Sequence, residues 1–168
     1  MEIIDLKAIQ APLKERYRAD AASALVTLSA TGAIGEGVTC SVEVGQALVK
    51  VGLHPATGGV PANACSGDML LQALVACAGV TLNAVATSLG FAVRDARITA
   101  EGDIDFRGTL GVDRQAPVGF REIRLSFAVD GDLGDEQLAT LVRLTERYCV
   151  VLQTIRSAPT VSVTSRIA

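Results

Sequence analysis

Residues 66–82 read SGDMLLQALVACAGVTL, and this stretch decides the fold. Ser66 stands where a helix N-cap belongs, and Asp68 suits the positive end of a helix. The same character continues to Leu89, and Gly90 is a natural C-terminal stop. The spacing predicts one helix from Ser66 to about Leu89. Almost every face of it is apolar or small, so it is expected to be buried on several sides. Its alanines and Gly79 leave room for a neighbour to approach closely. A chain of 168 residues with a modest sheet struggles to cover such a helix alone, which points to a homodimer. The apolar run Met69 to Leu82, interrupted by Gln72, falls short of the roughly 18 residues of a bilayer span.

Upstream of this helix, Leu25, Thr27 and Ser29 alternate with Val26, Leu28 and Ala30. TGAIGEG, residues 31–37, supplies turn residues. Val38, Cys40, Val42 and Val44 then alternate with Thr39, Ser41 and Glu43, the period-2 signature of a half-buried strand. Ala47 to Leu53 reads as a third strand, so an antiparallel meander is expected. HPATGGVPANACSG, residues 54–67, is a Pro/Gly loop. Downstream, Ile98, Ala100, Ile104 and Phe106 form one alternating set, and Ile123, Leu125, Phe127 and Val129 another. A second helix follows from about Asp135, with Leu138, Leu141, Val142 and Leu144 at helical spacing, and reaches Tyr148–Cys149. Thr160 to Ser165 alternates as a final strand. Strands segregated from two helices make an α+β chain. We read a single domain over 1–168: meander and loop (1–65), central helix (66–90), second set of strands (97–130), second helix and final strand (135–168).

Composition narrows the function. The chain is 49% hydrophobic and 20% charged, with a net charge of −3, which excludes a disordered chain and gives no electrostatic case for nucleic acid or an anionic membrane. Four Phe, two Tyr and no Trp are too few for a stacking platform on single strands. The opening MEIIDLKAIQ carries acids where a signal peptide needs basic residues and an apolar run, so a cytoplasmic location is expected. There, four cysteines are thiols, ligands or redox groups rather than structural bridges.

Cys77 sits mid-helix, with Ala73, Leu74, Val80 and Thr81 three and four residues away. It reads either as a small core residue or as a nucleophile. Cys149, in LTERYCVV (144–151), follows Arg147 and Arg143, whose charge lowers a thiol pKa; core packing is the alternative. Cys65 precedes Ser66 at the helix start, as a loop cysteine, a rival nucleophile or an alternative resolving thiol. Cys40 shares a strand face with valines and reads as core. One histidine, His54, without a CxxC or HxxxC pattern, makes no metal site. The TGG of the loop lacks the following Lys of a phosphate loop, and DIDFRGTLGV lacks EF-hand spacing.

With both cysteine segments in view, the sequence resembles the OsmC/Ohr family, osmotically inducible protein C and organic hydroperoxide resistance protein. SGDMLLQALVACAGVTL is similar to the family's acid-x-Leu-Leu…Ala-Ala-Cys helix, and LTERYCVV to its second-cysteine segment. The order of elements agrees over nearly the whole chain. The resemblance implies an OsmC-like fold: antiparallel sheets with two Cys-bearing helices, in an intertwined homodimer with sites at the interface. It implies a thiol-dependent peroxidase acting in oxidative stress. Cys77 would attack a small apolar organic hydroperoxide and become a sulfenic acid, Cys149 would close a disulfide on it, and a dithiol reductant would restore both. No metal, flavin or haem is implied. An apolar surround raises a thiol pKa, so a cation is required. The family's Ohr branch takes an Arg from the N-terminal segment and a Glu at the start of the Cys-helix. Here Arg18 or Arg107 would stabilise the thiolate and Asp68 would orient the arginine; there is no Arg between Arg18 and Arg94. The alternative is a non-catalytic OsmC-like protein, binding a small molecule or sensing redox state through an apolar dimer-interface pocket.

Overall fold

Backbone pairing begins where the alternating valines predict it. In the computed structural model, β1 (Gly32–Ile34), β2 (Thr39–Val44) and β3 (Ala47–Gly52) form an antiparallel ladder. Its register sets Ile34 opposite Cys40 and Cys40 opposite Val51. The structure describes Ala19 and residues 32–34, 39–44, 47–59, 61–111 and 113–167. The expected first strand, Leu25 to Ala30, and Arg18 lie outside them. The segment read as a turn, TGAIGEG, instead supplies β1, because pairing with β2 satisfies backbone groups that a turn leaves to water. A two-residue strand β4 (Ala64–Cys65) lies parallel to β3 and delivers the chain to the next helix.

The chain divides into two compact units, Met1–Gln72 with Thr99–Ser126 and Ala73–Ile98 with Phe127–Ala168. In the first, a 3-10 turn at Pro55–Thr57 tightens the loop after β3. Gly59 packs so closely under Leu53 that a Cβ there would lie 1.6 Å from the Leu53 carbonyl oxygen. The short helix α2 (Phe106–Thr109) is capped by Asp105, whose carboxylate accepts from the Arg107 N–H at 3.1 Å.

The long helix α1 runs Ser66–Leu89, as its caps predict. Gly90, at φ 68°, ends it in the left-handed region: Phe91 N donates to the Ala86 carbonyl at 2.9 Å and Gly90 N to that of Thr87 at 3.2 Å. Its 24 residues, with an 18-residue stretch of mean hydropathy 1.8, are long and apolar enough to cross a bilayer, more than the run Met69 to Leu82 suggested. The buried stripe is narrow: Leu74, Ala78, Leu82 and Ala86, each four residues from the last. In the second unit, Leu82 and Ala86 pack with the fully buried Leu141, walled by Val85, Phe91, Val93, Ala96, Phe127, Val129 and Leu133. Other positions on α1 are partly buried or exposed, with Val80 73% exposed.

β5 (Val93–Ile104) pairs with β6 (Phe120–Gly131) in a two-stranded sheet, and both alternate in burial along their length. Ion pairs Arg94–Asp130 and Arg124–Asp103, at opposite ends, show that the strands run in opposite directions. Helix α3 (Asp135–Tyr148) buries Leu141 and Thr145. The chain then breaks at Cys149, in extended geometry (φ −71°, ψ 105°), and a short helix α4 (Val150–Arg156) starts afresh. That second start was not foreseen in the sequence. The expected final strand, Thr160 to Ser165, does not form. Residues 158–167 carry no regular structure, and Val161 and Val163 are 77% and 89% exposed. Alternation makes a segment able to pair, but a strand exists only where a partner is hydrogen-bonded beside it, and residues 158–167 pair with none of the described strands.

Candidate active site

Two sulfurs remote in sequence meet in the second unit. Cys77 reaches out from the middle of α1, while Cys149 sits at the break between α3 and α4. The two thiols are neighbours that act on each other's acidity. Cys149 is fully buried and Cys77 half-buried, so Cys77 is the sulfur a solute can reach.

The surroundings push the two apart electrostatically. Burial pushes the Cys77 thiol up, but four groups outweigh it and hold Cys77 below the ordinary thiol value. These are the Val151 N–H, the Cys149 thiol, the Val150 N–H and the Thr81 hydroxyl. Cys149 moves the other way: burial raises it, the Leu152 and Val151 N–H groups only partly oppose this, and a neighbouring Cys77 sulfur raises it further. Cys77 therefore ionises first, with Cys149 S–H as donor to its sulfur.

The donors arise from local chain geometry. The first N–H groups of any helix have no intrahelical acceptor. In α4 the first backbone bond runs from Gln153 N to the Cys149 carbonyl at 3.0 Å, leaving the N–H groups of Val150, Val151 and Leu152 for the sulfurs. Thr81, one turn beyond Cys77, donates its hydroxyl hydrogen to the Cys77 carbonyl at 2.7 Å, with its oxygen beside the sulfur. Thr145, fully buried, donates to the Leu141 carbonyl at 2.8 Å, so α3 brings no unsatisfied hydroxyl into the core.

In the first unit, the Arg107 guanidinium is held by Asp105 at 2.6 Å, with Asp113 at 3.6 Å. In return Arg107 lowers the Asp105 carboxyl to about 2. Asp68, exposed in the first turn of α1, lines a cavity of about 320 Å³ with His54 and Cys65. Arg18 lies outside the described residues. Among the described residues, the backbone N–H groups of Val150 and Val151 lower the Cys77 thiol. They escaped the sequence reading because every residue carries one, and only the helix restart at Cys149 aims them. The apolar VVLQTIR after Cys149 was the available signal.

His54 is a structural residue: its Nδ1 accepts from the Ala56 N–H at 3.1 Å and its ring stacks on Phe106 at 4.9 Å. Among the described residues, no three His, Cys, Asp or Glu side chains converge at metal-binding geometry.

Comparison with known proteins bears on the family and the fold. The family described as OsmC-like protein matches residues 59–164. The chain belongs to the OsmC-like family. Its α+β fold of antiparallel strands and helices is that family's. Among solved structures, it is similar to an OsmC-like protein from Mycoplasma pneumoniae, at 16% identity over 79% of this chain and 89% of that one, with a TM-score of 0.66. It is also similar to an organic hydroperoxide resistance protein from Elizabethkingia anophelis with thiocyanate bound, at 21% identity over 80% and 91% of the chains, TM-score 0.64. A third is an organic hydroperoxide resistance protein OsmC from Legionella pneumophila, at 18% identity over 79% and 91%, TM-score 0.62. No curated protein sequence matches.

Proposed function

We propose that this OsmC-like protein is a two-cysteine peroxidase for organic hydroperoxides, with Cys77 as nucleophile and Cys149 as resolving thiol. The observation that carries this reading is the placement of two neighbouring free thiols, a half-buried Cys77 on α1 and a fully buried Cys149 at the break between α3 and α4, whose acidities shift in opposite directions. The Cys77 thiolate attacks one peroxide oxygen; the S–O bond forms, the O–O bond breaks, and the alkoxide takes a proton and leaves as an alcohol. Cys77 is then a sulfenic acid. The Cys149 sulfur attacks it, the S–S bond forms, and hydroxide leaves with the thiol proton as water. A dithiol reductant then takes the disulfide back to two thiols while its own pair is oxidised. The neighbouring structural relatives named for organic hydroperoxide resistance support the substrate class. A reducing, cytoplasmic setting fits a cycle that begins from two free thiols.

The same reading includes a homodimer. Val80, one turn from Cys77 on α1, is 73% exposed, and a second copy covering it would enclose Cys77 in apolar surface suited to an apolar hydroperoxide. Sedimentation should give a dimer for the wild type and a monomer for Val80→Asp; a monomeric wild type removes this part of the reading.

Cumene hydroperoxide consumption with dithiothreitol tests the chemistry. Turnover should vanish in Cys77→Ser, and one equivalent of peroxide should link Cys77 to Cys149 in peptide maps. Equal slow consumption by wild type and Cys77→Ser would leave the passive binding or sensing protein as the correct description. A link to Cys65 would move the resolving role there.

A further inference from the structure

The outer side of the α3–α4 junction carries a feature that the cysteine chemistry does not use. Arg143, Glu146, Arg147, Tyr148, Gln153 and Arg156 line an open cavity of about 680 Å³, within the size range of small-molecule sites. Three guanidinium groups against one carboxylate leave it a formal charge of +2, in a chain whose net charge is −3. The carboxylate is already engaged: Glu146 Oε2 lies 3.0 Å from Arg156 Nη1. The Glu146 carbonyl accepts from Gln153 Nε2 at 2.7 Å, so both helices are tied at this point. Arg143 and Arg147, one turn apart on α3, have no carboxylate within 4 Å among the described residues. Arg94, Arg107, Arg121 and Arg124 each have at least one, and Arg97 and Arg114 have none among the described residues but stand outside the cavity. The Arg147 guanidinium lies 5.7 Å from the centre of the Tyr148 ring, which is 59% exposed.

Guanidinium groups with hydrogen-bonding capacity to spare, gathered in one concavity, favour an oxyanion. A single carboxylate would leave positive charge over. A phosphoryl dianion matches the excess of +2 and offers three oxygens to three arginines. The exposed tyrosine ring beside them suits an organic group attached to that phosphate. We propose that the α3–α4 elbow binds a phosphate monoester, its phosphoryl group held by Arg143, Arg147 and Arg156 and its organic part lying against Tyr148. The site is independent of the peroxidase reading, since none of its groups acts on either sulfur.

Calorimetric titration of the full chain tests this with phenyl phosphate, inorganic phosphate and phenol as separate probes. Phenyl phosphate should bind more tightly than inorganic phosphate, and phenol should not bind measurably. Arg143→Gln with Arg147→Gln should weaken phenyl phosphate by about tenfold or more. Both residues are exposed, so the fold is not at stake. Arg97→Gln, an exposed β5 arginine outside the cavity, should leave binding unchanged, as should Cys77→Ser. Equal affinity for inorganic phosphate and its ester overturns the ester part, and phenol binding as well as its phosphate overturns the anion part. Absent binding, full affinity in the double variant, or an equal loss in Arg97→Gln overturns the site.

Discussion

Val150→Pro isolates the backbone groups that hold the Cys77 thiolate. Val150 is the first residue of α4, and its N–H acts on the Cys77 sulfur. Proline is tolerated at a first helical position, where the lost N–H has no helical acceptor. The residue before a proline must be extended, and Cys149 already is, at φ −71° and ψ 105°. The Val150 side chain is 69% exposed, so its loss costs little packing. A hydrogen bond to an ionised group contributes about 1.5–3 kcal/mol. One pKa unit corresponds to about 1.4 kcal/mol. Val150 acts more weakly on the sulfur than Val151 or Cys149, so the lower figure applies, and the Cys77 pKa should rise by about one unit. The assay is the rate of Cys77 alkylation against pH, followed by peptide mass. The midpoint should move up, and peroxide reduction well below it should fall by up to about tenfold as the thiolate fraction falls. Val150→Ala keeps the N–H and should leave the midpoint in place. An unmoved midpoint in Val150→Pro, with the helical circular dichroism signal intact, refutes the assignment of the N–H groups as the stabilising charge.

Four further outcomes are expected. The wild-type rate of peroxide reduction should rise with pH through a midpoint below the ordinary thiol value of 9.0, because Cys77 is held below it; Cys149→Ala deletes a donor and should move that midpoint up. Cys149→Ser should leave the Cys77 sulfenic acid without a partner, so that excess peroxide carries Cys77 to the sulfinic acid, read as a two-oxygen mass increment. Leu141→Ala, in the fully buried centre of the second unit, should lower unfolding free energy by about 2–5 kcal/mol in urea titration. Gly90→Ala should cost about 1 kcal/mol, because it places a Cβ at φ 68° where nothing else crowds it; an unchanged urea midpoint removes the left-handed cap as the reason for this glycine.

The legible parts of this protein are those where neighbours in sequence are neighbours in space. The limits of α1 follow from Ser66, Asp68 and Gly90, all local signals. The strands containing Val42 and Phe127 follow from alternation, although both sets after α1 run longer than read: Val93–Ile104 and Phe120–Gly131. Thr160 to Ser165 carries the same alternation and forms no strand, since pairing depends on an edge supplied from elsewhere. Asp68 lines a cavity with His54 and Cys65, and Arg107 is drawn to Asp105, two residues away; the first grouping spans distant chain segments and the second is local.

The sequence by itself determined the long helix, the main strands around it, the family, and the two cysteines worth watching, because periodicity, capping and motif spacing are properties of short segments. Tertiary structure decided the rest. It brought Cys149 against Cys77, and it broke the last helix at Cys149 so that unpaired N–H groups face the sulfurs. It also made one thiol more acidic and the other less. Acidity depends on burial and on donors within a few ångströms, and chain distance says nothing about either.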